Sequence, residues 1–192
     1  MSHGAGHGLV EGENKKIAIL ISVLALFLAI AETLGKSAQT DALSYNVEAS
    51  NLWAFFQAKT IRKTTMETAA EQMEVDLQLA RDPVVKDILG KRVENWKARA
   101  ATYESEPKPN GLGEGRKELM ARAKVKEQSR DKSLAAYHMF EYASAGFQLA
   151  IVLAGAAALT SVAWLTFISM GLGVVGLAFT LLAFFAPTLV HL

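Results

Sequence analysis

Few residues of this 192-residue chain stand at spacings that could do chemistry, and the first group lies at 32–37. Glu32 is an acid inside an apolar segment, where a carboxylate could relay protons or hold an ion. Lys36 follows four residues later, the spacing at which a glutamate and a lysine on one helix face attract each other. We therefore predict an ion pair between Glu32 and Lys36 at a membrane interface, with an ion or proton path as the alternative.

A second candidate is the tripeptide Gly35-Lys36-Ser37, which matches the end of a phosphate-binding loop. That motif requires an earlier glycine, where this chain has Ile30, and a preceding strand, where this chain has an apolar helical segment. His138 has no second histidine near it in sequence, and the chain contains no cysteine. Because no catalytic constellation and no metal-spaced ligand set occurs, we predict a non-enzymatic protein with no metal and no cofactor.

Aromatic and small residues at helical spacing indicate association instead. Trp53, Phe55 and Phe56 place three large rings within four residues, so the rings cannot all face one partner helix. The alternatives are core packing and a subunit interface, where aromatic residues are enriched. The same segment carries a heptad seam at alternating four- and three-residue steps. Its members are Ala38, Ala42, Tyr45, Ala49, Leu52 and Phe56.

A long helix must carry this seam, because residues 36–82 contain no glycine and no proline. Lys59 and Lys63 interrupt the apolar pattern. The sequence therefore predicts that the helix buries one face first and a rotated face over residues 66–80.

Local signals divide the rest of the middle region into further helices. Asp82-Pro83 combines a capping side chain with a proline at the first helical position, which predicts a new helix. That helix ends in the segment 104–115, which is rich in proline and glycine. Residues 116–145 are again free of both and predict a third helix. Residues 123–132 are almost entirely polar, so we expect thin burial there or help from another copy of the chain.

Both ends of the chain are apolar. Residues 143–190 contain no Asp, Glu, Lys, Arg or His, which predicts two membrane passes with a turn at 169–173, where two glycines occur. Residues 17–34 predict a third pass. A secretory signal peptide is the rival interpretation, but no cleavage site follows cleanly.

Small residues recur every fourth position in the second pass, at Gly146, Ala150, Ala154 and Ala158. Such a ridge lets another helix backbone approach closely. The sequence leaves open whether the partner is a neighbouring pass or another protomer.

The predicted fold is therefore all-α: an integral membrane protein with three transmembrane helices and a long extramembrane helical hairpin or bundle that resembles a coiled coil. The predicted parts are a flexible tail at 1–14, a transmembrane helix at 15–35, the extramembrane region at 36–145, and a transmembrane hairpin at 146–192. Whether the first membrane helix continues into the extramembrane helix stays open.

Two segments carry a family resemblance. The sequences GKSAQT at 35–40 and VEASNLWAFFQAKTIR at 47–62 resemble a bacterial membrane-protein family that is defined only as domain of unknown function DUF4337. The resemblance extends over most of the chain, including both apolar ends. It implies a bacterial inner-membrane protein, and it brings no activity, substrate or catalytic residue.

The charge of the chain limits the classes of partner that it can bind. The net charge of +1 and the acids interleaved in the cationic segment 116–132 exclude nucleic acid. We expect membrane lipid, other copies of the chain and an unidentified protein as partners. The expected function is a self-associating or partner-binding helical scaffold, and the alternative is a transport or channel accessory subunit with Glu32 facing Gln148 and Thr160.

The basic residues that flank the apolar segments indicate on which side of the membrane the middle region lies. They place the middle region in the cytoplasm by three against two: Lys36, Arg130 and Lys132 against Lys15 and Lys16.

Overall fold

The computed structural model describes residues 5–109 and 111–189, with side chains from Lys15 onward. These residues form four helices: α1 (Ala5–Leu79), α2 (Pro83–Glu104), α3 (Arg116–Thr160) and α4 (Ala163–Phe185). The described part of the chain contains no strand, so the predicted all-α class is confirmed. Of the predicted tail at 1–14, residues 1–4 lie outside the described residues, and α1 begins at Ala5. The first apolar segment and the long middle helix are one element.

The chain divides into two compact units. The terminal unit comprises Met1–Leu43 and Arg130–Leu192, and the middle unit comprises Ser44–Ser129. Because α1 and α3 cross these limits, each contributes to both units. Three helices, α1, α3 and α4, are long and apolar enough to cross a membrane.

The break between the last two helices is not where the glycines predicted it. The helix α3 ends at Thr160 and α4 begins at Ala163, whereas the sequence predicted a turn at 169–173. Ser161 takes a left-handed φ of 59°, which ends α3 at that point. Gly173 lies inside α4 instead, where a β-carbon would be 2.7 Å from Leu24 Cδ2. Gly173 therefore permits a close contact between helices. Glycine is as common at such contacts between apolar helices as it is in turns.

The core of the terminal unit is built on close approaches. A β-carbon on Gly146 would lie 3.4 Å from the Gly176 Cα, so the backbones of α3 and α4 almost touch. The ring of Phe147 stacks on that of Phe27 with centroids 5.9 Å apart, which joins α3 to α1. A β-carbon on Gly35 would be 3.1 Å from the Phe140 Cβ, so a second point of α1 fits against α3.

In the middle unit, α1 keeps one face covered along its whole length. The predicted rotation at Lys59 and Lys63 is wrong, because these two lysines themselves occupy the next positions of the same four-and-three pattern. Both are half-buried. We name this the inner face of α1 in the middle unit: Tyr45, Ala49, Leu52, Phe56, Lys59, Lys63, Met66, Ala70, Met73 and Leu77.

The helices α2 and α3 cover the inner face. Asp82 caps α2 by accepting hydrogen bonds from the backbone N–H of Val84 at 2.7 Å and of Val85 at 3.4 Å, so the predicted helix start is confirmed. Val93 and Ala100 of α2 are buried.

One carboxylate of α3 holds the residues that directly follow α2. Glu118 accepts hydrogen bonds from the Ser105 hydroxyl at 2.6 Å and from the Glu106 N–H at 3.2 Å. A β-carbon on Gly115 would be 2.5 Å from the Glu106 nitrogen, so only glycine fits there.

Candidate functional site

The aromatic segment of α1 divides its rings between two sides of the helix. Trp53 is half-buried and donates a hydrogen bond from Nε1 to Glu127 Oε1 on α3 at 2.8 Å. Phe56 is also half-buried and meets the Trp53 ring edge to face, with centroids 5.4 Å apart. Phe55 points away and keeps 58% of its surface exposed. Of the two alternatives, core packing describes Trp53 and Phe56, which pack inside the chain. Phe55 stays exposed and is available for an interface.

The polar part of α3 is covered through charge pairing and not through apolar contact. Lys126 Nζ lies 2.6 Å from Glu48 Oε2 and 5.2 Å from the centre of the Tyr45 ring. Ala123, three residues before Lys126, is completely buried. The expectation of thin burial over residues 123–132 is confirmed, because Ala123 is the single buried residue of this stretch. An ion pair and a cation–π contact nevertheless fasten the stretch to α1.

Arg116 joins all three helices of the middle unit. Its Nε donates to Thr60 Oγ1 at 2.9 Å, its Nη1 donates to Glu104 Oε2 at 2.7 Å, and its guanidinium lies 5.0 Å from the centre of the Phe56 ring. Lys63 reaches the same Glu104 oxygen at 3.4 Å. Partial burial alone would raise the pKa of the Glu104 carboxyl, but the charges of Arg116 and Lys63 lower it below its usual value.

The opposite side of α1 in the middle unit is open. We name it the outer stripe, and it repeats the four-and-three spacing: Val47, Asn51, Ala54, Ala58, Ile61, Thr65, Thr68, Gln72, Val75 and Leu79. Every member is exposed, up to 67% for Ile61 and 74% for Leu79, and none carries a charge. The more apolar seam on the other face of α1 is the stronger signal in the sequence, so the stripe was not predicted. The signal was present as a heptad pattern without charged residues.

The small-residue ridge of α3 meets other helices of the same chain. Gly146, Ala150 and Ala154 are buried, and Ala158 is half-buried. The Ser169 hydroxyl of α4 donates to the Ala150 carbonyl at 2.7 Å inside this contact. The partner left open by the sequence is thus a neighbouring helix for Gly146 and Ala150.

A polar groove of about 420 Å³ lies in the terminal unit between α1 and α3. Its polar lining comprises Glu32, Lys36, Gln39, Tyr137, Glu141, Ser144 and Gln148. The Gln148 Nε2 donates to Glu32 Oε1 at 3.2 Å. Lys36 lines the groove without an ion pair to Glu32 among the described residues, so the nearest partner of the acid is the amide across the groove and not the lysine one turn away.

Thr160, which was predicted to face Glu32 and Gln148, does not line the polar groove. The Thr160 hydroxyl donates to the Ala156 carbonyl of its own helix at 2.8 Å. His138 Nδ1 lies 3.1 Å from Glu141 Oε2, so this histidine pairs with a carboxylate one turn away. Within residues 5–109 and 111–189, no group of three or more His, Cys, Asp or Glu side chains could hold a metal ion.

Comparisons with known proteins give one match. Neither the curated proteins nor the solved structures contain a match to the chain. The family model of a domain of unknown function, DUF4337, matches residues 13–186, which is nearly the whole chain. This range includes the aromatic segment, the outer stripe and the polar groove. The chain therefore belongs to the DUF4337 family.

Proposed function

We propose that the chain is a membrane-anchored helical scaffold that associates with other copies of itself, or with a protein partner, through its middle unit, and that it performs no catalysis. The observation that carries the proposal is the outer stripe, a row of ten uncharged positions on α1 that the described part of the chain leaves exposed. Six of its ten members are apolar, and exposed apolar side chains that recur along one side of a helix are typical of interaction sites.

The composition of three helices supports a membrane anchor. The helices α1, α3 and α4 each contain an apolar stretch of membrane-spanning length, and their mutual contacts use glycine, alanine and serine. Small residues at helix contacts are typical of packing in lipid, where no hydrophobic force drives helices together. We place the apolar stretches in a bilayer, which in a bacterium is the inner membrane, and the ion-paired middle unit in the cytoplasm.

The mass of the purified chain tests self-association. In detergent or lipid nanodiscs, light scattering that separates protein from detergent mass should give a dimer or larger assembly. A monomer at every concentration, together with no partner recovered by cross-linking in native membranes, would contradict the proposal.

Orientation has a separate test. Because the chain has no cysteine, a single Thr64→Cys variant offers one exposed thiol in the middle unit. A maleimide reagent that cannot cross membranes should label it in inside-out vesicles and not in intact spheroplasts. The reverse pattern would place the middle unit outside the cytoplasm.

A second candidate function, a transport or channel accessory, is favoured by the contact of Glu32 with Gln148 across the polar groove. An acid inside an apolar segment is costly unless it serves a path or has a partner. If the groove conducts, Glu32→Gln should abolish ion or proton flux in liposomes. If Glu32 only joins α1 to α3, the variant should leave flux unchanged.

A further inference from the structure

A groove with mainly apolar walls lies in the terminal unit between α1 and α4, and we name it the apolar groove. Its volume is about 550 Å³. Leu20 and Val23 of α1 line one side, Phe167 and Met170 of α4 line the other, and the buried Ala157 of α3 lies at the floor. These residues belong to the stretches that we place in the bilayer, so the occupant of the groove must be apolar along this length.

The apolar groove is closed at its inner end. Leu24 directly follows Val23, and a β-carbon on Gly173 would be 2.7 Å from Leu24 Cδ2, so α1 and α4 touch at this level. The groove therefore extends along α1 from Lys16 to Val23, which is about 10 Å of helix. A transmembrane helix of a second copy is too large for this space, because two turns of a helix 10 Å across occupy roughly 800 Å³. A single extended acyl chain is narrow enough to enter.

The open end of the apolar groove is cationic. Lys16 is the one charged residue among the described residues that line the groove, and Ser161 and Ala163 line it where α3 gives way to α4. Ile17, the neighbour of Lys16, packs in one cluster with Leu165, so Lys16 and the start of α4 lie at the same end. No side chain caps the start of α4, so its first N–H groups add a positive dipole to the charge of the lysine.

The lining of the groove also decides which headgroup fits. Every phospholipid brings a phosphate, which a lysine and free N–H groups attract. A zwitterionic headgroup brings an ammonium group as well, and none of the described lining residues is an acid that could pair with it. An anionic headgroup brings no second cation. Charge therefore favours a lipid with a net negative charge.

We propose that the apolar groove binds one anionic phospholipid, with its phosphate at Lys16 and the upper part of one acyl chain between α1 and α4. The apolar stem of Lys16 lines the groove while its ammonium group reaches toward the headgroups. This inference rests on the membrane anchor of the proposed function and is independent of self-association.

Lipid titration followed by native mass spectrometry tests the proposal. The detergent-purified chain is titrated with phosphatidylglycerol or with phosphatidylcholine that carries the same acyl chains, so that only the headgroup differs. Phosphatidylglycerol should bind at one site about fivefold or more tightly, because a lysine at an anionic headgroup strengthens binding by about this factor. Equal affinities for the two lipids would overturn the proposal.

The role of Lys16 has a matched pair of variants. Lys16→Gln should weaken the binding of phosphatidylglycerol about fivefold and leave that of phosphatidylcholine within about twofold. Lys15→Gln removes the same charge from the neighbouring residue, which is exposed and does not line the groove, and it should change binding less than about twofold. Equal losses in the two variants would show that only the general charge of the helix end matters, which would overturn the site.

The acyl-chain contact has its own variants. Val23→Trp should weaken the binding of both lipids by a similar factor, because the indole ring occupies the space of the acyl chain. Val152→Trp places the same ring on an exposed position of α3 that does not line the groove, and it should leave both affinities unchanged. Circular dichroism checks that both variants fold. Full lipid binding by a folded Val23→Trp variant would overturn the proposal.

Failure of this proposal and failure of the proposed function are distinguishable. A chain that alkaline carbonate releases from the membrane overturns the anchor and the lipid site together. A chain that stays in the membrane pellet and binds both lipids equally overturns the lipid site alone. A monomer by mass that still selects phosphatidylglycerol contradicts self-association and supports the lipid site.

Discussion

At the residue scale, two lysines occupy positions of the inner face where the heptad pattern asks for apolar side chains. Lys59 lies over the Tyr103 ring with its Nζ 5.3 Å from the ring centre, and Lys63 pairs with Glu67 and Glu104. The long apolar stem of each lysine covers the seam while its charge reaches a ring or a carboxylate. The inner face therefore continues through both lysines without changing sides.

Trp53 should matter for the stability of the middle unit through its hydrogen bond as well as its ring. Trp53→Phe keeps an aromatic ring and removes the donor to Glu127, so it should lower the free energy of unfolding by about 1 kcal/mol. Phe55→Leu, two residues away on the exposed side, should change it by less than about 0.5 kcal/mol. Denaturant unfolding of the detergent-solubilised chain, followed by tryptophan fluorescence or circular dichroism, compares the two. Equal losses would show that the Trp53 contact adds nothing.

Two carboxylates make the middle unit sensitive to acid. The Ser105 hydroxyl and the Glu106 N–H hold the pKa of Glu118 below its usual value, and Arg116 with Lys63 lowers the pKa of Glu104 against the effect of partial burial. A carboxyl whose pKa is lower in the folded state stabilises the fold above its unfolded pKa, and this stabilisation disappears as the pH falls through the folded value. The thermal midpoint should therefore decrease as the pH is lowered from about 5 to about 3.

The matched variant for this prediction is Glu118→Gln. It removes one of the two acid-sensitive groups, so the fall of the thermal midpoint with acid should become smaller than in the natural chain. An unchanged pH profile would contradict the assignment of Glu118 as one of the sensitive groups.

At the scale of elements, the same residue type serves different purposes in α4. Gly176 faces α3, where a β-carbon would lie 2.9 Å from the Phe147 ring and 3.1 Å from the Ala143 carbonyl oxygen. Gly171 lies in the same helix with nothing within 4 Å of its β-carbon position. The surroundings of each glycine, and not its effect on helix propensity, decide what a substitution does.

Gly176→Leu should destabilise the packing of α3 on α4 by roughly 1–3 kcal/mol, because a larger side chain must push the two backbones apart. Gly171→Leu is the matched control, and it should be neutral or stabilising by up to about 1 kcal/mol, since leucine favours the helix more than glycine does. Thermal unfolding in one detergent measures both. A Gly171→Leu variant as unstable as Gly176→Leu would refute the close approach.

At the scale of the whole molecule, the two units differ in the solvent that they suit. The terminal unit exposes large apolar side chains such as Trp164 and Phe185, whereas the middle unit is fastened by ion pairs. The exposed apolar side chains of α4 would be costly in water, and a helix of this length and composition is suited to a bilayer. The charged groups of the middle unit favour water, because moving a charge into an apolar environment is costly.

Extraction behaviour tests this division. The full-length chain should stay in the membrane pellet after alkaline carbonate treatment and should enter the supernatant only with detergent. Release by carbonate, or a product that stays in solution after ultracentrifugation without detergent, would exclude the membrane anchor. The same fractions, probed by limited proteolysis, should show cleavage confined to the middle unit.

The sequence by itself determined the helical class, the three apolar helices and the capped start of α2, because these follow from composition, periodicity and local capping. Tertiary structure decided which side of α1 is open, since both sides carry four-and-three spacing and only the positions of α2 and α3 distinguish them. It also decided that Gly173 packs while Ser161 breaks the helix, and that Glu32 meets Gln148. Each of these depends on a neighbour distant in sequence, and a local pattern cannot specify which neighbour arrives.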